Sequence, residues 1–232
     1  MTKLYYTKKI KTINKLFCLN NFGRRILKIG FLGGTFNPIH NGHIAMAQKA
    51  RKQFGLDKVF FLPTGDSYMK QNVTDKELRL KMVCAAIEEI DEFSVCKLEI
   101  NTAGPSYTSD TLDKLHYLYP EDEIYFIMGE DSLLSIHLWK NFEKIFKLAK
   151  LIVACREDGV NSVSEESKGL MAVISEYEKL YNAEIFVMDF SCKISSSLLR
   201  EKVFRGESVR DEVSPKVEKI IQEFQLYQSH DE

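Results

Sequence analysis

No two cysteines of this 232-residue chain are spaced as CxxC, and the five present (Cys18, Cys84, Cys96, Cys155 and Cys192) are far apart and odd in number. That spacing excludes a zinc knuckle and a disulfide framework. It leaves the cysteines as small buried hydrophobes in a reducing cytoplasm. No apolar run approaches the roughly 18–20 residues that cross a membrane. Neither sign of charge is in excess, with 32 Lys and Arg against 33 Asp and Glu. The molecule as a whole is therefore no evident nucleic-acid binder. No repeat, low-complexity tract or Pro/Gly linker interrupts residues 26–227, so one domain is expected.

The near-neutral total hides an asymmetry. Residues 1–28 hold eight Lys or Arg and no acid, leaving 24 bases against 33 acids in the rest. This basic stretch lacks the apolar core and cleavage site of a secretion signal and the Arg/Ser bias of a transit peptide. Residues 1–25 read as a solvated, partly disordered or surface-docked extension ahead of a domain covering 26–232.

Short apolar runs alternate with segments of helical period. Strands are expected at Leu27–Leu32, Lys58–Leu62, Phe93–Glu99, Glu123–Met128, Lys150–Ala154 and Glu184–Met188. VFFL, IYFIM, LIVA and IFVM are apolar at consecutive positions, as strands covered on both faces should be. Helices are expected at Ile44–Phe54, Asp75–Glu89, Thr108–Tyr119, Asp131–Phe146, Ser164–Tyr181, Ser195–Phe204 and Pro215–Tyr227. Strand–helix alternation implies an α/β fold, a Rossmann-like doubly wound parallel sheet with helices on both faces and a helical C-terminus. In such sheets ligands sit beyond the carboxyl ends of the strands, so the turns there carry the information.

Four turns stand out. The first, GGTFNPIHNGH (Gly33 to His43), has neither the GxGxxG nor the GK[ST] fingerprint. Its glycines allow close approach of backbone to ligand. His40 and His43, three apart at a helix start, can face one point where the dipole favours anions. Metal binding, phosphate contact and plain packing compete here. HxxH supplies only two metal ligands, and His116, His137 and His230 are scattered. The glycine-rich setting favours phosphate.

The second turn, ISSSLLR (Ile194 to Arg200), offers capping serines and a forked arginine. Alone it reads as an ordinary helix cap; beside the first turn it reads as the other wall of a triphosphate site. The third, GPSYTSDTL (Gly104 to Leu112), opens a helix whose free N–H groups at Tyr107 and Thr108 could receive a small carboxylate. In the fourth, FIMGEDSLLSIHLWK, Gly129 lets a nucleotide approach and Asp131 can accept from hydroxyls. Trp139, the single tryptophan, could pack in the core or stack on a flat ring.

GGTFNPIHNGH matches the GxFxPxHxGH pattern of the nucleotidylyltransferase superfamily, and ISSSLLR resembles its second motif, ISSTxIR. GPSYTSDTL, the GxD…LWK segment and the ending GESVRDEVSPKVEKIIQEFQLY resemble the bacterial nicotinate-nucleotide adenylyltransferases, over roughly residues 26–227. The resemblance implies transfer of AMP from ATP to nicotinate mononucleotide with Mg²⁺, giving deamido-NAD and pyrophosphate. It implies that His40, His43 and Arg200 are catalytic and that Gly33, Gly34, Thr35, Phe36, Gly42, Gly129, Asp131, Ser196 and Ser197 line the ATP site. Lys70, Tyr107, Thr108 and Trp139 would hold nicotinate mononucleotide; metal ligands are unassigned, and a homo-oligomer stays open. Two departures are visible. The family's Pro-Pro-His-Lys run is LPTGDSYMK here, keeping only Lys70, and the second-motif threonine is Ser197. Other acceptors within the superfamily, and a nucleotide-binding regulator without catalysis, are the alternatives.

Overall fold

Consecutive apolar residues in a strand point to opposite faces, so a run such as FL or FI must be covered from both sides. The computed structural model shows this arrangement. It describes residues 25–66, 72–155 and 165–228, without the side chains of 165–168. Lys70 and the expected extension, apart from Arg25, lie outside the described residues. Six parallel strands are ordered β3-β2-β1-β4-β5-β6. They are β1 (Lys28–Gly34), β2 (Lys58–Pro63), β3 (Phe93–Val95), β4 (Glu123–Gly129), β5 (Lys150–Cys155) and β6 (Ile185–Asp189).

Neighbouring residues divide between two cores. Leu32, Phe61, Ile127 and Ile152 face helices α1 (Asn41–Phe54), α2 (Lys76–Ile87), α7 (Ser196–Phe204) and α8 (Pro215–Glu223). Phe31, Leu62, Phe126 and Leu151 face α3 (Thr108–Leu118), α4 (Glu130–Leu134), α5 (Phe142–Leu148) and α6 (Glu165–Tyr181). Phe31 pairs with Phe60 on one side and Phe126 on the other. The chain leaves β1 toward β2 but returns to lie at β1's other edge as β4, and this reversal opens a crevice beyond the two carboxyl ends.

All six expected strands form, and three expected elements differ. The strand expected at Phe93–Glu99 ends at Val95, because the backbone curls into turns with Asn101 N–H on Lys97 O (3.0 Å) and Thr102 N–H on Glu99 O (3.0 Å). The helix expected at Asp131–Phe146 is broken into α4, a 3-10 turn at Ile136–Leu138 and α5. Trp139 is extended there and Asn141 sits at φ 52°, a left-handed geometry that asparagine tolerates. The last helix stops at Glu223, and Gln225 and Tyr227 adopt φ of 52° and 64°. That bend carries Tyr227 inward, where it is buried. No disulfide links the described cysteines; Cys155 is buried, and Cys84, Cys96 and Cys192 are half-buried.

Candidate active site

The loop between β1 and α1 is pinned from outside by its carbonyl oxygens. Thr64 N–H donates to Gly34 O (2.9 Å), Arg79 Nη1 to Thr35 O (2.7 Å), Arg200 Nη1 to Asn37 O (2.8 Å) and Ser196 Oγ to Pro38 O (2.8 Å). Carbonyl oxygens repel phosphate, and here they are engaged by protein donors. Tyr227 completes the set by donating to Asn37 Oδ1 (2.9 Å). Phe36 lies at φ 51°, costly for a bulky residue, and its ring is buried against Phe61 and edge-on to His43.

His40 is the N-cap of α1 and His43 its third residue, and their rings lie 3.7 Å apart between centroids. The His40 backbone N–H donates to His43 Nδ1 (3.2 Å). Because Nδ1 accepts, the neutral His43 ring carries its proton on Nε2, the donor atom. His40 is 7% exposed, and its Nδ1 makes no well-formed hydrogen bond among the described residues, although its side chain faces the His43 backbone N–H in a capping box. Burial lowers its pKa to about 4, so it is neutral at pH 7. Gly42 closes this cradle. A Cβ there would meet Cys192 Sγ at 2.5 Å and His40 Nδ1 at 2.9 Å.

The second motif opens α7. Ser195 is its N-cap, accepting from Leu198 N–H (3.2 Å). Ser196 is tied to Pro38 as above, and Arg200 Nη2 lies 3.4 Å from Ser197 Oγ. The two motifs, 158 residues apart at the Ser196–Pro38 bond, therefore form one wall.

Beside that wall lies a cavity of about 290 Å³. Gly33, Gly34, Thr35, Thr108 and Trp139 line it, so the structure brings these sequence candidates together. Tyr107 is the N-cap of α3, with Lys140 Nζ 4.0 Å above its ring. Gly129 caps α4 with open space where a Cβ would point, and Asp131 is exposed in the first turn of α4. Neither lines the cavity. His40, His43, Arg200, Ser196 and Ser197 do not line the cavity; they stand on, or in α7 against, the loop that begins with the lining residue Thr35.

Several lining residues escape sequence reading: Leu62, Thr64, Glu99, Ser106, Phe126, Met128, Ser132 and Ser135. Phe126 and Met128 look like any strand core residues, and nothing local marks them. Arg79 did leave a signal, a charge within the buried set Arg79, Leu80, Met82 and Val83 of α2. Among the described residues no group of three His, Cys, Asp or Glu could hold a metal ion, and no helix is long and apolar enough to cross a membrane.

Known proteins resemble this chain in sequence and in fold. The cytidylyltransferase-like family model matches residues 31–202. A "Probable nicotinate-nucleotide adenylyltransferase" of Clostridium tetani is 35% identical, over 86% of this chain and 98% of its own. One of the same name from Trichlorobacter lovleyi is 39% identical, over 87% of this chain and 100% of its own. A Plasmodium falciparum nicotinic acid mononucleotide adenylyltransferase, solved in complex with NaAD, shares the fold with a TM-score of 0.70. It is 18% identical and aligns over 89% of this chain and 100% of its own. With the two motifs on one wall and the cavity beside them, this chain belongs to the cytidylyltransferase-like family and, within it, to the nicotinate-nucleotide adenylyltransferases.

Proposed function

We propose that this chain moves AMP from ATP to nicotinate mononucleotide, giving deamido-NAD and pyrophosphate, with Mg²⁺ entering as part of the ATP substrate. The observation that carries this reading is that Thr35, in the loop that leads to the two histidines, lines the same cavity as Trp139. The relatives' names, and the NaAD complexed with the Plasmodium protein, support the choice of acceptor. The cavity lies at the ~300 Å³ lower end for small-ligand sites, which suits one heterocycle with its sugar. Trp139, Phe126 and Met128 offer apolar surface to a flat ring, and Ser106, Thr108 and Ser135 offer polar atoms around it.

The nucleophile is a phosphate monoester with a second pKa near ~6, mostly ionised at pH 7. Its attack on the α-phosphorus of ATP needs no protein base. The protein's task is to bring two anions together and to stabilise the charge leaving on pyrophosphate. We assign that task to His43 Nε2–H, His40, Arg200 and the start of α1. A carboxylate received at the start of α3 gains charge-assisted bonds that a carboxamide cannot match.

Pyrophosphate release from ATP and Mg²⁺ with either the nicotinate or the nicotinamide mononucleotide tests the reading. Release is expected with the acid and little with the amide. Equal efficiency with both would remove the selectivity argument. Release with neither, from folded protein that binds ATP, would overturn the acceptor. In the same assay His43→Ala is expected to lower turnover ~100-fold or more, the scale of losing one transition-state donor.

A further inference from the structure

The guanidinium of Arg79 is 2% exposed, and its bonds run to backbone carbonyls of three separate turns. Nε donates to Thr74 O (2.8 Å), Nη1 to Thr35 O (2.7 Å) and Nη2 to Gly65 O (2.9 Å). Gly65 in turn packs on Glu99, which is 5% exposed and whose Oε1 accepts from Thr111 Oγ1 (3.0 Å) in the first turns of α3. Gly65 is thus held by Arg79 on one side and packed on Glu99 on the other. It has no room for a side chain, since a Cβ would meet Glu99 O at 2.4 Å and Ser106 Oγ at 2.5 Å.

We propose that Arg79 and Glu99 are positioning residues that, through Gly65, lock the ATP-side loop at Thr35 to the acceptor-side helix α3. This rests on the adenylyl-transfer reading above. The run Thr35–Arg79–Gly65–Glu99–Thr111 starts at one substrate's loop and ends on the helix that receives the other. Thr35 and Glu99 both line the cavity. Stability alone is a weak reason for such a group. A buried guanidinium loses its hydration, and well-packed apolar residues of similar volume often serve stability as well or better. Desolvation does lower the Arg79 pKa, against the pull of Tyr227, Asp75, Asp66 and Glu99. What a rigid fork supplies and an apolar chain cannot is a fixed spacing between three turns. In-line transfer depends on that spacing, because ~1 Å of misplacement can cost ~100-fold in rate.

The test is steady-state kinetics of Arg79→Lys, Glu99→Ala and Glu99→Gln, with hydrogen exchange on the substrate-free proteins. A lysine keeps the charge but cannot span three carbonyls. Arg79→Lys is expected to lower kcat ~10–100-fold, with the KM for each substrate within ~3-fold. Glu99→Ala should behave alike, and Glu99→Gln, whose amide oxygen can still accept from Thr111, should keep most of the wild-type kcat. Amides of the Thr35 loop and of the start of α3 should lose protection together in Arg79→Lys. Folded Arg79→Lys with wild-type kcat, a loss confined to one KM, or unchanged protection would overturn the proposal. If Arg79→Lys does not fold, the Glu99 pair decides, and Glu99→Ala at wild-type kcat overturns it. Wild-type protein that forms no product would instead sink the adenylyl-transfer reading, leaving the exchange experiment to judge the lock.

Discussion

His40, one of the residues proposed to hold phosphate, sits out of water. Its Nδ1 makes no well-formed hydrogen bond among the described residues, and desolvation lowers its pKa to about 4. In the unfolded chain a histidine titrates near ~6.5. As pH falls from there toward 4 the unfolded state takes the proton first, so stability present above pH ~6.5 is lost through this window. His40→Asn should flatten that part of the curve. Thermal midpoints of both proteins between pH 7 and pH 4 check it, and equal slopes would mean that His40 titrates normally. Gly42 belongs at the same scale. Its sequence setting suggests a glycine kept for space at the helix start, but the atoms that forbid a larger residue, Cys192 Sγ and His40 Nδ1, come from the second motif's approach and from its own helix cap.

Helix α7 owes its role to where it docks. Its serine cap is local and was readable, whereas the bonds from Ser196 to Pro38 and from Arg200 to Asn37 exist only because the helix lies across the loop. Arg200 can hold Asn37 O with one nitrogen and still present others, and a lysine cannot do both. Arg200→Lys is expected to lower kcat/KM for ATP ~10-fold or more, the scale of a charge-assisted hydrogen bond. Unchanged ATP kinetics would make Arg200 a docking residue only. The break of the expected Asp131–Phe146 helix is the opposite case. Its periodicity continued through the sequence, but the turn at Trp139 and left-handed Asn141 end it. That break sets Trp139 into the cavity wall.

For the whole molecule, the family match spans residues 31–202, and the described fold starts at Arg25. A protein beginning at residue 25 is therefore expected to keep kcat and both KM values within ~2-fold, since no residue of the proposed site precedes Gly33. A large loss on that truncation, measured with pyrophosphate release, would give the basic segment a part in catalysis. The strand set and the two motifs were legible because they rest on local rules. Burial on both faces demands consecutive apolar residues, and phosphate contact at a helix start demands glycines and donors within one turn. The cavity was not legible in the same way. Leu62, Glu99, Ser106 and Phe126 reach it from four different segments, and no local pattern marks them. Arg79 left a local mark as a charge among apolar neighbours, but its three acceptors, 5, 14 and 44 residues away along the chain, left none. Periodicity and motif chemistry act within a few residues, while the spacing of two substrates is set by side chains that meet only once the sheet has brought their strands together.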